Sequence, residues 1–345
     1  MKKFIENRRT KVIKIDPDNI DWKHLQEAGQ AIREGELVAF PTETVYGLGA
    51  DALNKEAVLK IFMAKKRPFL DPLIVHVGNM AEANCLVDVF PADAKKLGEL
   101  FWPGPLTMVL KKSKIIPDIV TSKLDTVAIR IPNHKVALAL IQEAQRPIAA
   151  PSANIFSYTS PTRAQHVLSD LKDRVDIVLD SGETKIGVES TVLDVTVKPF
   201  KILRLGGATW ESLREVIPDI IIGSDHAIIK KSPGMLKKHY SPKAKLILVE
   251  DKGEEMVKRI QMLAQLYKSE GKQVGILSCQ GNSEKYSGFL VKILGEAEDL
   301  ESCARYLYSH LRALDNEKCD IIISENFSDR GLGRAIMDRL RKASG

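Results

Sequence analysis

From its start to about Ile222 the chain alternates short, continuous apolar runs with longer amphipathic stretches, which restricts the fold to a layered α/β architecture. The runs predict strands at Leu37 to Phe40, Leu73 to Val77, Leu106 to Leu110, Val127 to Ile131, Ile148 to Ala150, Ile177 to Leu179, Thr191 to Val195 and Ile202 to Leu205. Several are unbroken Val/Ile/Leu sequences, the composition of strands covered on both faces. Between them the spacing predicts helices over Trp22–Glu34, Lys55–Lys65, Ala92–Phe101 and Val136–Glu143. With 345 residues, 44% hydrophobic and 28% charged, the chain has material for two domains, each with its own core.

The alternation stops between Gly223 and Pro242, a stretch bounded by Gly and Pro with no clear period, which marks a linker. A smaller α/β unit then begins. Its expected elements are a strand near Leu246–Val249, a helix around Glu254–Tyr267, a strand Val274–Leu277, a helix near Leu300–Leu314, a strand Ile321–Ser324 and a helix Gly331–Lys342. The expected organisation is therefore a first domain over 1–222, a linker over 223–243 and a second domain over 244–345.

The opening residues Met1 to Arg9 are charged and carry no apolar core, so no secretory signal is expected. No apolar run approaches the roughly 20 residues of a spanning helix, so no membrane association is expected. Cys85, Cys279, Cys303 and Cys319 lie far apart with no C-x-x-C pair, which suggests neither a zinc site nor a disulfide framework. Reduced thiols in a cytoplasm fit best. The net charge of +6 permits contact with phosphates or RNA without requiring it.

Phosphate-binding loops of the common kinds are missing. There is no G-x-x-x-x-G-K-S/T, and the nearest dinucleotide fingerprint, Gly331-Leu332-Gly333-Arg334-Ala335-Ile336, lacks the third glycine. Neither H-E-x-x-H nor G-x-S-x-G appears. Any bound phosphate must be held largely by side-chain cations.

Such cations stand in apolar surroundings. Asn54 is a good N-cap for a helix whose apolar stripe runs Val58, Ile61, Phe62, and the next position at that spacing is Lys65. Arg67 follows, just before Pro68, where the helix must stop, and has no obvious structural partner in the sequence. A snorkelling lysine and a solvated arginine are the plain alternative. Arg130 lies inside the apolar run Thr126 to Ile131, and Arg204 inside Ile202 to Leu205. Arginine there needs a carboxylate, a phosphate or a set of carbonyls, so a structural ion pair remains open for each. His76, within Leu73 to Val77, is either a satisfied core histidine or a site residue.

Two polar turns, Pro41 to Gly49 and Pro151 to Asn154, follow strands directly, and Glu189 to Thr191 opens a third. Each alone is ordinary turn chemistry. Ligands of α/β sheets collect beyond strand ends, and beside three semi-buried cations these turns read as a binding site.

These segments, in this order, resemble the Sua5/YwlC branch of the threonylcarbamoyl-AMP synthase family, whose catalytic half is called the YrdC-like domain. The resemblance is carried by Pro41 to Gly49, by Lys65 to Pro68 with Pro72 to His76, and by Pro151 to Asn154. It continues through Ser160-Pro161-Thr162, Glu189 to Val192, Arg204-Leu205-Gly206, the linker Ser232 to Met235 with His239 to Pro242, and the tail Gly331 to Met337. It spans nearly the whole chain. It implies a YrdC-like twisted-sheet catalytic domain plus a smaller Rossmann-like α/β Sua5 domain.

The activity it implies is a nucleotidyltransferase reaction. Threonine takes up bicarbonate or CO2, and the N-carboxylate attacks the α-phosphate of ATP, expelling pyrophosphate, for N6-threonylcarbamoyladenosine formation at position 37 of tRNA. Such chemistry needs positioning and electrostatics rather than a covalent enzyme intermediate. By resemblance Lys65 and Arg67 are the catalytic cations, and they bind ATP with Thr126, Ser152, Asn154, Ser160 and Arg204. Thr44, His76, Arg130, Ala150 and Ser190 hold L-threonine. Tyr240 comes from the linker, which folds over the site as a lid. Asp71 stands where many members carry Asn, and it is included in the ATP set. No cluster reads as a fixed metal site, so Mg2+ is expected to arrive with ATP. Expected partners are L-threonine, bicarbonate, ATP and downstream tRNA-modifying transferase proteins, with weak or no direct tRNA binding. The rival class, an RNA-binding module, usually interleaves exposed aromatics with basic residues; aromatics total 6% here and the motif turns show no such interleaving. A ligand-sensing regulator is the third class.

Overall fold

The computed structural model describes residues 9–223 and 239–345, which pack as two compact units. The linker motif Ser232 to Met235 lies outside the described residues. The first unit comprises 9–156, 161–185 and 189–223, and the second 157–160, 186–188 and 239–345.

In the first unit the strands are β1 (Lys11–Lys14), β2 (Val38–Phe40), β3 (Gly47–Asp51), β4 (Ile74–His76), β5 (Leu106–Lys111), β6 (Thr126–Arg130), β7 (Ile148–Ala149), β8 (Ile177–Asp180), β9 (Thr191–Asp194), β10 (Lys201–Arg204) and β11 (Ile221–Ile222). They form one mixed sheet in the order β1-β8-β2-β3-β7-β4-β6-β5-β9-β10-β11. Apolar clusters form around it. One includes Leu48, Phe62, Val75, Leu106 and Ile129, and another includes Leu25, Ile32, Phe40, Leu140 and Ile148. Period-2 alternation puts Val75 in the first cluster and turns its neighbour His76 the other way.

All eight expected strands of this unit are present, and β1, β3 and β11 are additional. β3 was hidden in the sequence because Gly47-Leu48-Gly49 has low strand propensity. The glycines serve close packing: a Cβ on Gly49 would sit 2.8 Å from both Ile148 Cγ2 and Phe40 Cε1. The helix Lys55–Lys65 has the predicted bounds, its Asn54 side chain accepting from Glu56 N and Ala57 N. It ends on Lys66 in the left-handed region at φ 55°, and Arg67 N then donates back to Phe62 O at 2.9 Å. That cap turns Arg67 away from the helix axis.

The second unit carries β12 (Lys245–Leu248), β13 (Val274–Ser278), β14 (Leu290–Ile293) and β15 (Ile321–Ser324), all parallel in the order β12-β15-β13-β14. Its long helices are Gly253–Ser269, Leu300–Asn316 and Leu332–Ser344. The buried Glu325 ties β15 to β13 and to the segment after it, accepting from Ser278 Oγ at 3.0 Å, Cys279 N at 2.8 Å and Tyr286 OH at 2.7 Å. β14 was not anticipated. The two excursions 157–160 and 186–188 also depart from the expected boundary at 222. Within the second unit, the Tyr158 hydroxyl donates to Asp315 at 2.7 Å and Ser241 N donates to Ser157 O at 2.9 Å. Among the described residues no helix is long and apolar enough to cross a membrane.

Candidate functional site

Lys65 does not snorkel. It is 1% exposed, and its ammonium donates to Ser152 O, to Asn154 O at 2.6 Å and to Asn154 Oδ1 at 3.4 Å. A charge so deep is tolerated only with such partners. Here they are the backbone and side chain of the turn Pro151 to Asn154. Ser152 Oγ in turn donates to Asn154 Oδ1 at 2.6 Å, so helix end and turn form one polar unit.

Arg67 is neither solvated nor without a structural partner, which corrects the expectation from sequence. Its guanidinium lies 2.8 Å from the Asp71 carboxylate, with Nε donating to Asp71 O at 3.1 Å and Nη2 to Pro72 O at 2.9 Å. Both side chains are buried. Burial pushes the Asp71 carboxyl up, while Arg67, then Lys65, then Arg204 pull it back down. The charges of all three cations thus act on the Asp71 carboxyl, with Arg67 in direct contact.

Arg204, at the end of β10, is fixed from the neighbouring turn. Its Nε and Nη2 donate to Ser190 O at 3.1 and 2.9 Å, and Nη2 also reaches Ser190 Oγ at 3.2 Å. Ser190 Oγ shares a 2.7 Å hydrogen bond with Thr107 Oγ1 of β5. Ser190, expected beside threonine, and Arg204, expected beside ATP, are therefore in direct contact.

Parallel pairing of β4 with β6 sets His76 directly across from Arg130. Arg130 Nη2 lies 2.8 Å from Glu43 Oε2, and Arg130 Nε donates to Gly104 O at 3.2 Å. The ion pair left open by the sequence is real, and Glu43 is the residue that sequence reasoning missed. Its signal was a carboxylate in a Thr/Gly turn directly after a buried strand. Thr44 is fully buried and shares a 2.8 Å hydrogen bond with Thr42. Ala150 N donates to Ile74 O at 2.9 Å beside β4. Thr126 is buried at the start of β6. Ser160 and Tyr240 are both buried and belong to the second unit, where the Tyr240 ring packs against Tyr308 at 5.9 Å and under the Arg339 guanidinium at 4.7 Å. Among the described residues no group of three His, Cys, Asp or Glu is placed to hold a metal ion.

Burial, helped by the Arg130 charge, holds His76 neutral and moves its pKa down from 6.5 to about 3. The unfolded chain binds this proton below about pH 6.5 and the native state does not. Stability therefore falls as pH drops from 6.5 toward 3, by up to ~1.4 kcal/mol per pH unit. His76→Gln is expected to flatten this acid limb in denaturant titrations at a series of pH values. A limb parallel to that of the unaltered chain would place the sensitivity elsewhere, first at His134, whose pKa burial lowers to about 4.

Comparison with known proteins identifies the family of the chain. The Sua5/YciO/YrdC family model, described as "Telomere recombination", matches residues 30–206, and the model "Threonylcarbamoyl-AMP synthase, C-terminal domain" matches 208–345. The sequence is 46% identical to threonylcarbamoyl-AMP synthase of Pyrococcus abyssi over 332 residues, 94% of this chain and 95% of that protein. It is 46% identical to threonylcarbamoyl-AMP synthase of Bacillus subtilis over 325 residues, 93% of each. The fold is similar to the crystal structure of P. abyssi Sua5 complexed with L-threonine, with a TM-score of 0.91, 44% identity and 97% of each chain covered. With both family models matched in order and relatives aligned over nearly the whole length, the chain belongs to the threonylcarbamoyl-AMP synthase family in its two-domain Sua5 form.

Proposed function

We propose that the chain condenses L-threonine, bicarbonate or CO2 and ATP into L-threonylcarbamoyladenylate and pyrophosphate, supplying N6-threonylcarbamoyladenosine formation at position 37 of tRNA. The observation that carries this reading is the pairing of two buried charge sites within the first unit. Lys65, Arg67 and Arg204 are buried cations whose charges all act on the Asp71 carboxyl, and Arg130 faces Glu43 beside His76. The first suits a polyphosphate and the second an amino acid.

The cations Lys65, Arg67 and Arg204, with Ser152 and Asn154, hold the ATP phosphates in line with the carbamate; Ser160 enters this set on family resemblance alone. Thr126 and Tyr240 keep the nucleotide contacts that family resemblance gives them. Thr44, His76, Arg130, Ala150 and Ser190 hold threonine, the Arg130 guanidinium taking its carboxylate. The carbamate oxygen forms a bond to the α-phosphorus as the bond to pyrophosphate breaks. Fixed positive charge from buried side chains meets the negative charge that gathers there. Because Asp71 is engaged with Arg67, the Mg2+ that accompanies ATP is held mainly by phosphate oxygens and water. The enzyme acts in the cytoplasm and passes its product to tRNA-modifying transferase proteins, with little direct contact to tRNA.

Pyrophosphate release that requires threonine and bicarbonate together, with labelled bicarbonate entering the nucleotide product, is the direct test. Release independent of threonine would overturn the reading. Arg130→Lys keeps a charge opposite Glu43 but loses the two-pronged grip on a carboxylate. It is expected to raise the threonine KM about 10- to 100-fold, the worth of one charge-assisted hydrogen bond or two, and the ATP KM less than about threefold. A selective loss of ATP affinity would mean the two substrate positions are reversed.

A further inference from the structure

The residues that family resemblance assigns to threonine include a cation, Arg130, but no anion. An amino acid arrives as a zwitterion, and a site that grips only its carboxylate leaves the ammonium buried without a counter-charge. The structure contains a carboxylate suited to it.

Glu43 is 4% exposed, in the turn between β2 and β3. That turn is closed by Thr42, whose Oγ1 donates to Val45 O at 2.7 Å and accepts from Thr44 N at 3.2 Å. Glu43 lies close to Arg130, at 2.8 Å, yet neither of its buried oxygens accepts a hydrogen bond, and Arg130 Nη2 donates none. His76 Nδ1, across from Arg130 on β4, is likewise buried without a hydrogen-bond partner. Buried polar groups are almost always satisfied, so three such residues together mark a place built for a polar guest. His134, which feels the Glu43 charge, is kept neutral by burial and supplies no cation. Glu43 thus has acceptor capacity that Arg130 does not use, and a primary ammonium offers three donors.

We propose that Glu43 is a specificity-determining residue that anchors the α-ammonium of the amino acid while Arg130 takes its carboxylate. This rests on the threonine-dependent reading above and goes beyond it by explaining why the substrate must be an α-amino acid. The paired charges of site and substrate then form a closed square, and the substrate supplies hydrogen bonds that Glu43 and Arg130 do not make to each other.

The test compares binding of L-threonine with binding of its α-hydroxy analogue, 2,3-dihydroxybutanoate, by titration calorimetry on the full chain. The unaltered chain is expected to prefer threonine at least tenfold. Glu43→Gln is expected to lower threonine affinity about 10- to 100-fold and to change the analogue less than threefold, so that the preference collapses. Glu43→Asp, which keeps the charge, is expected to retain a preference. Equal losses for both ligands in Glu43→Gln would assign Glu43 to holding Arg130 alone and overturn the proposal, as would an unaltered chain with no preference or a Glu43→Gln variant that keeps it. Pyrophosphate release by the unaltered chain reports separately on the enzymatic reading.

Discussion

Arg67→Ala is expected to lower kcat/KM for ATP by about 10²–10³, the usual effect of removing one preorganised charge from a transition state. The variant has a second consequence that must be separated from the first. Arg67 is the ion-pair partner of Asp71, whose carboxyl burial already pushes up. Removing one member of a buried pair costs about 3–5 kcal/mol, because the other charge is left uncompensated. A loss of activity in the single variant therefore has two sources, phosphate binding and local collapse. Asp71→Asn in the same chain removes the stranded charge and keeps the shape. The double variant Arg67→Ala/Asp71→Asn is expected to regain most of the thermal stability and little of the turnover. Turnover that returns together with stability would reduce Arg67 to a fold-holding role and leave Lys65 and Arg204 as the phosphate cations.

The contrast between Lys65 and Glu43 shows what a sequence discloses and what it withholds. Lys65 was legible because its helix is local: the Asn54 cap and the stripe Val58, Ile61, Phe62 fix which way position 65 points before any tertiary contact forms. Arg130, Arg204 and His76 were legible for a related reason, since a polar residue in an apolar strand must have a partner. Their partners were not legible. Arg130 meets Glu43 through a turn 87 positions earlier in the chain, and it stands beside His76 through the register of β4 on β6, both set by the sheet as a whole. Arg67 and Asp71 are only four residues apart, yet a left-handed cap at Lys66 decides that they meet. β3 stayed hidden because glycine spacing that serves close packing looks the same as glycine spacing that serves a turn. Family resemblance named candidate site residues without these contacts, and it could not supply the Glu43 or Asp71 pairing that determines how the variants will behave.

Gly206→Ala, a single methyl group at a residue with no side chain to bind anything, is expected to damage both substrate positions at once. A Cβ there would sit 2.3 Å from Glu189 O, 2.4 Å from Ser190 C and 2.5 Å from Thr191 N. All three are backbone atoms, so no rotamer change relieves the overlap and the 189–191 turn must move. That turn holds Arg204 through two hydrogen bonds to Ser190 O, and Thr191 N is itself tied to Pro105 O at 2.9 Å. Displacing it shifts Ser190 on the threonine side and Arg204 on the phosphate side together. Overpacking against backbone costs about 3 kcal/mol, the upper end of the usual range, and each 1 kcal/mol lowers Tm by roughly 2–4 °C at this domain size. The expected result is a first-unit thermal transition lowered by about 6–12 °C, with the KM values for threonine and ATP each raised about tenfold or more. Separate KM determinations in the variant decide the matter. A rise confined to one substrate would mean that Ser190 and Arg204 move independently, and that their direct contact does not couple the two halves of the site.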